Sequence, residues 1–255
     1  MSIETIAALL AVIAIATYFQ TVTGFGLGMI VMGVTSGFDL APIALVATLV
    51  SLVTLVNSGV ALRGRLQHID RRAAAAVLLG VFPSIAVGLM LLDYLSSAAS
   101  NLLQMLLGVA ITYSGIVFAL RPTRLTTRSP DSSFFISGFA SGLFGGLFGM
   151  AGPPVIFHFY RQPFELVTVR SMLLLVFAFT AGTRTIFVAY EGMLTTEVWT
   201  IAAITLPLVA LSTVVGRRYP PHWSAPTMRR IAFSVLIVIG LGLMFSAGSA
   251  LVTAG

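Results

Sequence analysis

The stretches Gln20-Thr-Val-Thr-Gly-Phe-Gly-Leu-Gly-Met-Ile30 and Ser141-Gly-Leu-Phe-Gly-Gly-Leu-Phe-Gly-Met-Ala-Gly-Pro-Pro154 decide the reading of this chain. In each, a hydrophobic segment breaks at a cluster of glycines and resumes as a shorter hydrophobic segment. In a membrane protein, paired interruptions at matching positions of two halves point to the substrate site.

The composition is that of a membrane protein. Of 255 residues, 58% are hydrophobic and 9% charged, against about a quarter charged in soluble domains. Apolar stretches able to cross about 30 Å of hydrocarbon recur along the whole sequence. The length bounds the chain to one membrane domain, residues 1–255. The net charge of +6 comes from arginine alone, mostly in short loops, which fits the positive-inside bias rather than nucleic-acid binding. With no cysteine, disulfides and thiolate chemistry drop out. Residues 3–19 lack a basic leader and a cleavage site, so they are read as mature protein.

The hydrophobic pattern predicts helices over 3–20, 25–37, 41–62, 71–92, 98–120, 132–146, 150–161, 165–190, 195–216 and 228–250. At 1.5 Å per residue, 25–37 and 150–161 are too short to span and read as half-helices. Arginines at 63–72, 121–128 and 217–230 mark loops on the inner side; Asp39, Asp93, Glu191 and Glu197 mark turns on the outer side. Segment 41–62 then runs inward and 165–190 outward, so the two halves are inverted. Phe38-Asp-Leu matches Phe164-Glu-Leu, and Asn57-Ser58 falls opposite Thr183-Arg184 at the same offset. The expected fold is all-α and integral to the membrane. It has two inverted repeats, 1–122 and 130–255, each a glycine-broken re-entrant hairpin plus three transmembrane helices.

Irregular backbone inside a bilayer is tolerated only where it is buried in protein or lines a wet cavity. Gly24, Gly26, Gly28, Gly145, Gly146, Gly149 and Gly152 supply such backbone at low steric cost. Their other possible role is close helix packing. Pro153 and Pro154 suit the start of a half-helix, whose N-terminus carries a partial positive charge that attracts an anion. Arg184 sits deep in an apolar run. It either offers its planar fork to an oxyanion or snorkels toward Glu191. Arg170 lies a turn inside its segment, as a second candidate or as an interfacial arginine. Gln20, Thr23, Phe25, Asn57 and Ser58 complete the candidate substrate-binding set. His158 is a titratable group in the second half-helix or an interfacial histidine. No metal-ligand cluster, phosphate loop with lysine or Gly-x-Ser-x-Gly elbow is present in the sequence. A serine hydrolase built on Ser141 and His158 is the weakest alternative.

The motifs Thr-Gly-Phe-Gly-Leu-Gly at 23–28 and Gly-Leu-Phe-Gly-Met-Ala-Gly-Pro-Pro at 146–154 resemble the paired signatures of the TauE/SafE family of sulfite and organosulfonate exporters. The resemblance covers nearly the whole chain and departs from the family at Met150-Ala151. It implies a bacterial inner-membrane transporter of sulfite, sulfoacetate or a related anion, generally exporting. The expectation is a secondary transporter, not an enzyme, with no cofactor or metal. Its partners are the small anion and the lipid bilayer, with no nucleic acid; the sequence carries no signal of oligomeric state. A lactate-like carboxylate importer, a channel-like facilitator and a structural membrane subunit are the remaining alternatives.

Overall fold

The computed structural model describes residues 3–119, 123–219 and 225–253, and within them the chain is helical throughout. The elements are α1 (Ile3–Thr23), α2 (Leu27–Gly37), α3 (Ile43–Ala61), α4 (Arg71–Ala98), α5 (Ser100–Ala119), α6 (Asp131–Phe148), α7 (Pro153–Arg161), α8 (Leu166–Tyr190), α9 (Thr196–Arg218) and α10 (Ala225–Thr253), with one 3₁₀ turn at Leu66–His68. Six helices (α1, α3, α4, α8, α9 and α10) are long and apolar enough to cross a membrane. The breaks fall where the glycines are. Gly24 and Gly26 take φ of 92° and 109°, and Gly149 takes 68°, conformations that L side chains rarely adopt.

Most boundaries lie within three residues of the sequence expectation. The large difference is α4, expected to end at 92 but continuing to Ala98. Ser96 and Ser97 bond back to the carbonyl of Asp93, so this polar stretch extends the helix instead of ending it. Likewise α1 runs to Thr23 because Thr21 and Thr23 bond back to Thr17 and Phe19. At 21 residues α1 is itself of spanning length. Arg121 and the side chain of Arg229, both counted in the expected basic loops, lie outside the described residues.

Packing brings α3 against α8, α5 against α10, α4 along α6, and α1 along α9. Both α4 and α9 carry an internal proline, Pro83 and Pro207. The α4–α6 contact is a seam of small residues four apart: Gly80, Ser84 and Gly88 against Gly138, Gly142 and Gly146. A Cβ at any of these glycines would strike the facing backbone or Ser84, which is how small residues let two membrane helices close on each other. Outward from this core, Leu79, Met90, Ile186 and Phe245 are each more than two-thirds exposed, an apolar surface suited to lipid.

The basic loops gather at one end. Asp131 at the start of α6 pairs with Arg72 and Arg128, and Arg128 also meets Asp70 at 3.4 Å. Arg217 reaches the last turn of α3, donating to the carbonyl of Val60 at 2.7 Å.

Candidate functional site

Between the two breaks lies a cavity of about 20 Å³, room for about one water. From the first half it is lined by Gln20, Gly26, Gly28, Met29 and Thr54; from the second by Gly149 to Gly152, Ile156, Phe177 and Thr180. Thr54 is on α3 and Thr180 on α8, the two helices packed against each other at the centre. Gly26 and Gly152 are the N-cap residues of the two short helices. The interval separating Gly26 from Gly152 is the same one separating Thr54 from Thr180.

The two half-helix N-termini are not equivalent. In α7 the first two residues are Pro153 and Pro154, which have no N–H. The next amide, Val155, donates to Ser141 Oγ at 2.8 Å. The α7 terminus therefore has its first-turn donors removed or occupied. In α2 the Leu27 amide is taken by Gln20 Oε1 at 3.1 Å and that of Ile30 by Gly26 O. The Gly28 and Met29 amides, from two cavity-lining residues, have no protein acceptor among the described residues. Of the two half-helix ends, only that of α2 keeps first-turn amides without a protein acceptor among the described residues.

The expected site residues divide into three groups. Gln20, Gly26, Gly149 and Gly152 line the cavity. Thr23, Gly24 and Phe25 build the first break. Thr23 Oγ1 bonds to the carbonyls of Phe19 and Phe25, and its own carbonyl accepts from Tyr160 at 3.0 Å. Phe25 is fully buried, stacked on Phe233 and edge-on to Tyr160. Asn57, Ser58, Arg170 and Arg184 lie outside the lining, as does Pro153.

Asn57 is wholly buried, accepting from Gln20 Nε2 at 2.8 Å and donating to Thr21 and Thr213 at 2.9 Å each. The result is to lock Gln20, and so the first break, to α3 and α9. Ser58 is buried with its hydroxyl unpartnered. Arg184 is 1% exposed, so it does not snorkel. Its Nε donates to the Gly146 carbonyl at 3.1 Å, and Nη1 points to Ser51 at 3.3 Å and Thr48 at 3.5 Å. It braces the last turn of α6, just before the second break, against α3.

Both roles weighed for the glycines occur, at different glycines. Gly145 and Gly146 are helical rather than irregular. Gly145 packs on Thr180 and Gly146 on Gly88, while Gly28 sits in α2 against Met150. Gly24, Gly26 and Gly149 hold the left-handed turns. Ser141 and His158 do not meet: Ser141 serves Val155, and His158 lies 3.3 Å from Ser133.

Thr54 and Thr180 are the polar lining residues that sequence reading passed over. A single threonine in a spanning helix carries little signal, and only the shared interval with the two glycines sets this pair apart.

The family model described as Sulfite exporter TauE/SafE matches residues 9–243. A relative from Cupriavidus necator named "Probable sulfite/organosulfonate exporter TauE" is 56% identical over 240 residues, covering 94% of each chain. No solved structure matches the chain. Spanning helices from end to end and a small cavity between two broken helices agree with that match: the chain belongs to the TauE/SafE family of sulfite exporters and is a multi-pass membrane transporter, not an enzyme.

Proposed function

We propose that the chain exports a small sulfur oxyanion, sulfite or an organosulfonate, by alternating access between two inverted repeats, 1–122 and 130–255. The observation that carries this reading is the cavity itself, lined from both halves by two residue pairs at one shared interval, Gly26 with Gly152 and Thr54 with Thr180. Support for the duplication comes from element order. Each half runs long, short, long, long, long. The contacts of α4 with α6 and α9 with α1 exchange under the same pairing that leaves α3–α8 and α5–α10 unchanged. In this reading α1–α2 and α6–α7 are the re-entrant hairpins and the basic end faces the cytoplasm. The substrate class follows from the name of the relative and from the donors at the cavity, the Thr54 hydroxyl and the α2 amides, which suit an oxyanion; the Thr180 hydroxyl is engaged by the Val176 carbonyl at 2.8 Å. Because a cavity of about 20 Å³ holds about one water, this conformation is read as an occluded state, and its two linings must part for the anion to enter or leave.

The test is flux in proteoliposomes offered sulfite, sulfoacetate, lactate and taurine, comparing wild type with Thr54→Val. Removing hydroxyls that donate to a charged ligand is worth roughly tenfold or more in affinity. The expected result is saturable sulfite or sulfoacetate flux whose KM rises by about that factor in Thr54→Val. Flux of lactate alone would replace the substrate class with a carboxylate. Absence of flux for every anion would remove the reading.

A further inference from the structure

Three arginines at the basic end take no part in the cavity. Arg217, near the end of α9, donates Nη1 to Val60 O at 2.7 Å and Nη2 to Arg63 O at 3.5 Å. That holds it over the C-terminus of α3, beside the turn that carries Arg65. The single 3₁₀ turn that follows, Leu66–His68, packs against α8. One turn into α8, the side chain of Arg170 lies on the first break: its Cγ is 2.9 Å from where a Cβ on Gly24 would sit. The Nε of Arg170 is shut off from solvent and has no hydrogen-bond partner. None of the three pairs with a carboxylate among the described residues, while Asp70 and Asp131 at the same end are engaged by Arg72 and Arg128. Partial burial, followed by the charges of Arg217 and Arg170, holds the pKa of Arg65 below its ordinary value, so the three cations feel one another. Like charges gathered without a counter-ion repel, and an arriving anion relieves that repulsion.

We propose that Arg65, Arg170 and Arg217 form a capture site for the oxyanion at the basic end, the first binding step of the export reading above, on which it rests. Planar guanidinium forks match the geometry of a sulfite or sulfonate group. Arg170 passes the captured anion toward Gly24, next to which Phe25 packs on Phe233 and Tyr160. The same chemistry would hold the phosphate of an anionic lipid, so the experiment separates the two sources.

The full chain is reconstituted in neutral phosphatidylcholine vesicles and in vesicles containing phosphatidylglycerol. Sulfite flux from the basic side is measured against sulfite and salt concentration for wild type, Arg65→Gln, Arg65→Gln/Arg217→Gln and Arg65→Lys/Arg217→Lys. The side chain of Arg65 braces nothing, so the single variant folds even where loss of Arg217 loosens the end of α3. A capture site predicts that KM rises about tenfold in the double glutamine variant and less in the single one. The maximal rate stays within about twofold, salt dependence flattens, and the lysine variant recovers part of the loss. An unchanged KM with wild-type flux intact would overturn the capture site and leave the export reading standing. An effect confined to phosphatidylglycerol vesicles would assign the cluster to a lipid headgroup and overturn it too. If wild type moves no anion, the export reading fails. The capture site is then judged by the sulfite-induced rise in Tm of the detergent-purified chain. A rise at least halved in Arg65→Gln upholds it; an equal rise, or none in either protein, overturns it.

Discussion

Arg184 shows what a buried charge does when no acid answers it. Three oxygens answer instead: the Gly146 carbonyl and the hydroxyls of Ser51 and Thr48. Its guanidinium is therefore held just ahead of the second break, with Nε and Nη1 engaged by the protein's own oxygens. Arg184→Ala would orphan the buried Gly146 carbonyl at about 1–3 kcal/mol and leave a cavity beside α6, while Thr48 and Ser51 keep their bonds to Ala44 and Ala47. The expected outcome is a lower Tm in detergent and a parallel loss of flux, with Arg184→Lys intermediate because it keeps the charge but loses the fork. An Arg184→Ala protein with wild-type Tm and raised KM would instead return Arg184 to the anion. Sequence exposed the oddity of this residue, since an arginine inside an apolar run is rare. Its role was illegible, because Thr48, Ser51 and Gly146 are brought to it only by tertiary packing.

At the scale of elements, the second glycine cluster does two jobs that a linear reading merges. Gly138, Gly142 and Gly146 repeat every four residues and so share one face of α6, where they meet Gly80, Ser84 and Gly88 of α4. Gly149 alone in that region takes the left-handed conformation that breaks the helix. The four-residue spacing was visible in the sequence, whereas its partner on α4 required the fold. The polarity of α7 was also half legible. Pro153 and Pro154 announced a helix start, but the same prolines, with Ser141, cancel the amides expected to bind the anion. Because α4 and α6 touch at backbone distance, they should move as one body. Gly142→Leu would drive a side chain into Ser84 and the backbone of Val81. The overpacking cost is at least 1–3 kcal/mol. Expected is a sharp fall in Tm and in yield of monodisperse protein, measured by thermal unfolding with size-exclusion analysis. Gly242→Leu on α10, which faces open space, should leave both near wild type. If Gly142→Leu left both unchanged, the seam would not be a rigid contact.

For the molecule as a whole, the occluded cavity sets a requirement that a fixed pore would not. The lining comes from both halves, from α1, α2 and α3 on one side and α7 and α8 on the other. In the proposed alternating-access reading, parting these two linings opens the cavity, and parting them in opposite senses exposes it to opposite sides of the membrane, with α4 moving together with α6. The natural chain contains no cysteine, so a single introduced thiol reports without background. Thr180 is 1% exposed in this conformation; a thiol there reacts only when the cavity opens. In oriented vesicles, Thr180→Cys should be modified by a membrane-impermeant thiol reagent added to either side. Modification should be slower at saturating sulfite, because the anion and the label compete for one volume. Gly192→Cys, at a turn with open space around it, should react rapidly from one side only and be indifferent to sulfite. Labelling of Thr180→Cys from one side alone, at a rate sulfite does not change, would contradict alternating access. It would leave a molecule whose two broken helices meet without exchanging their exposure.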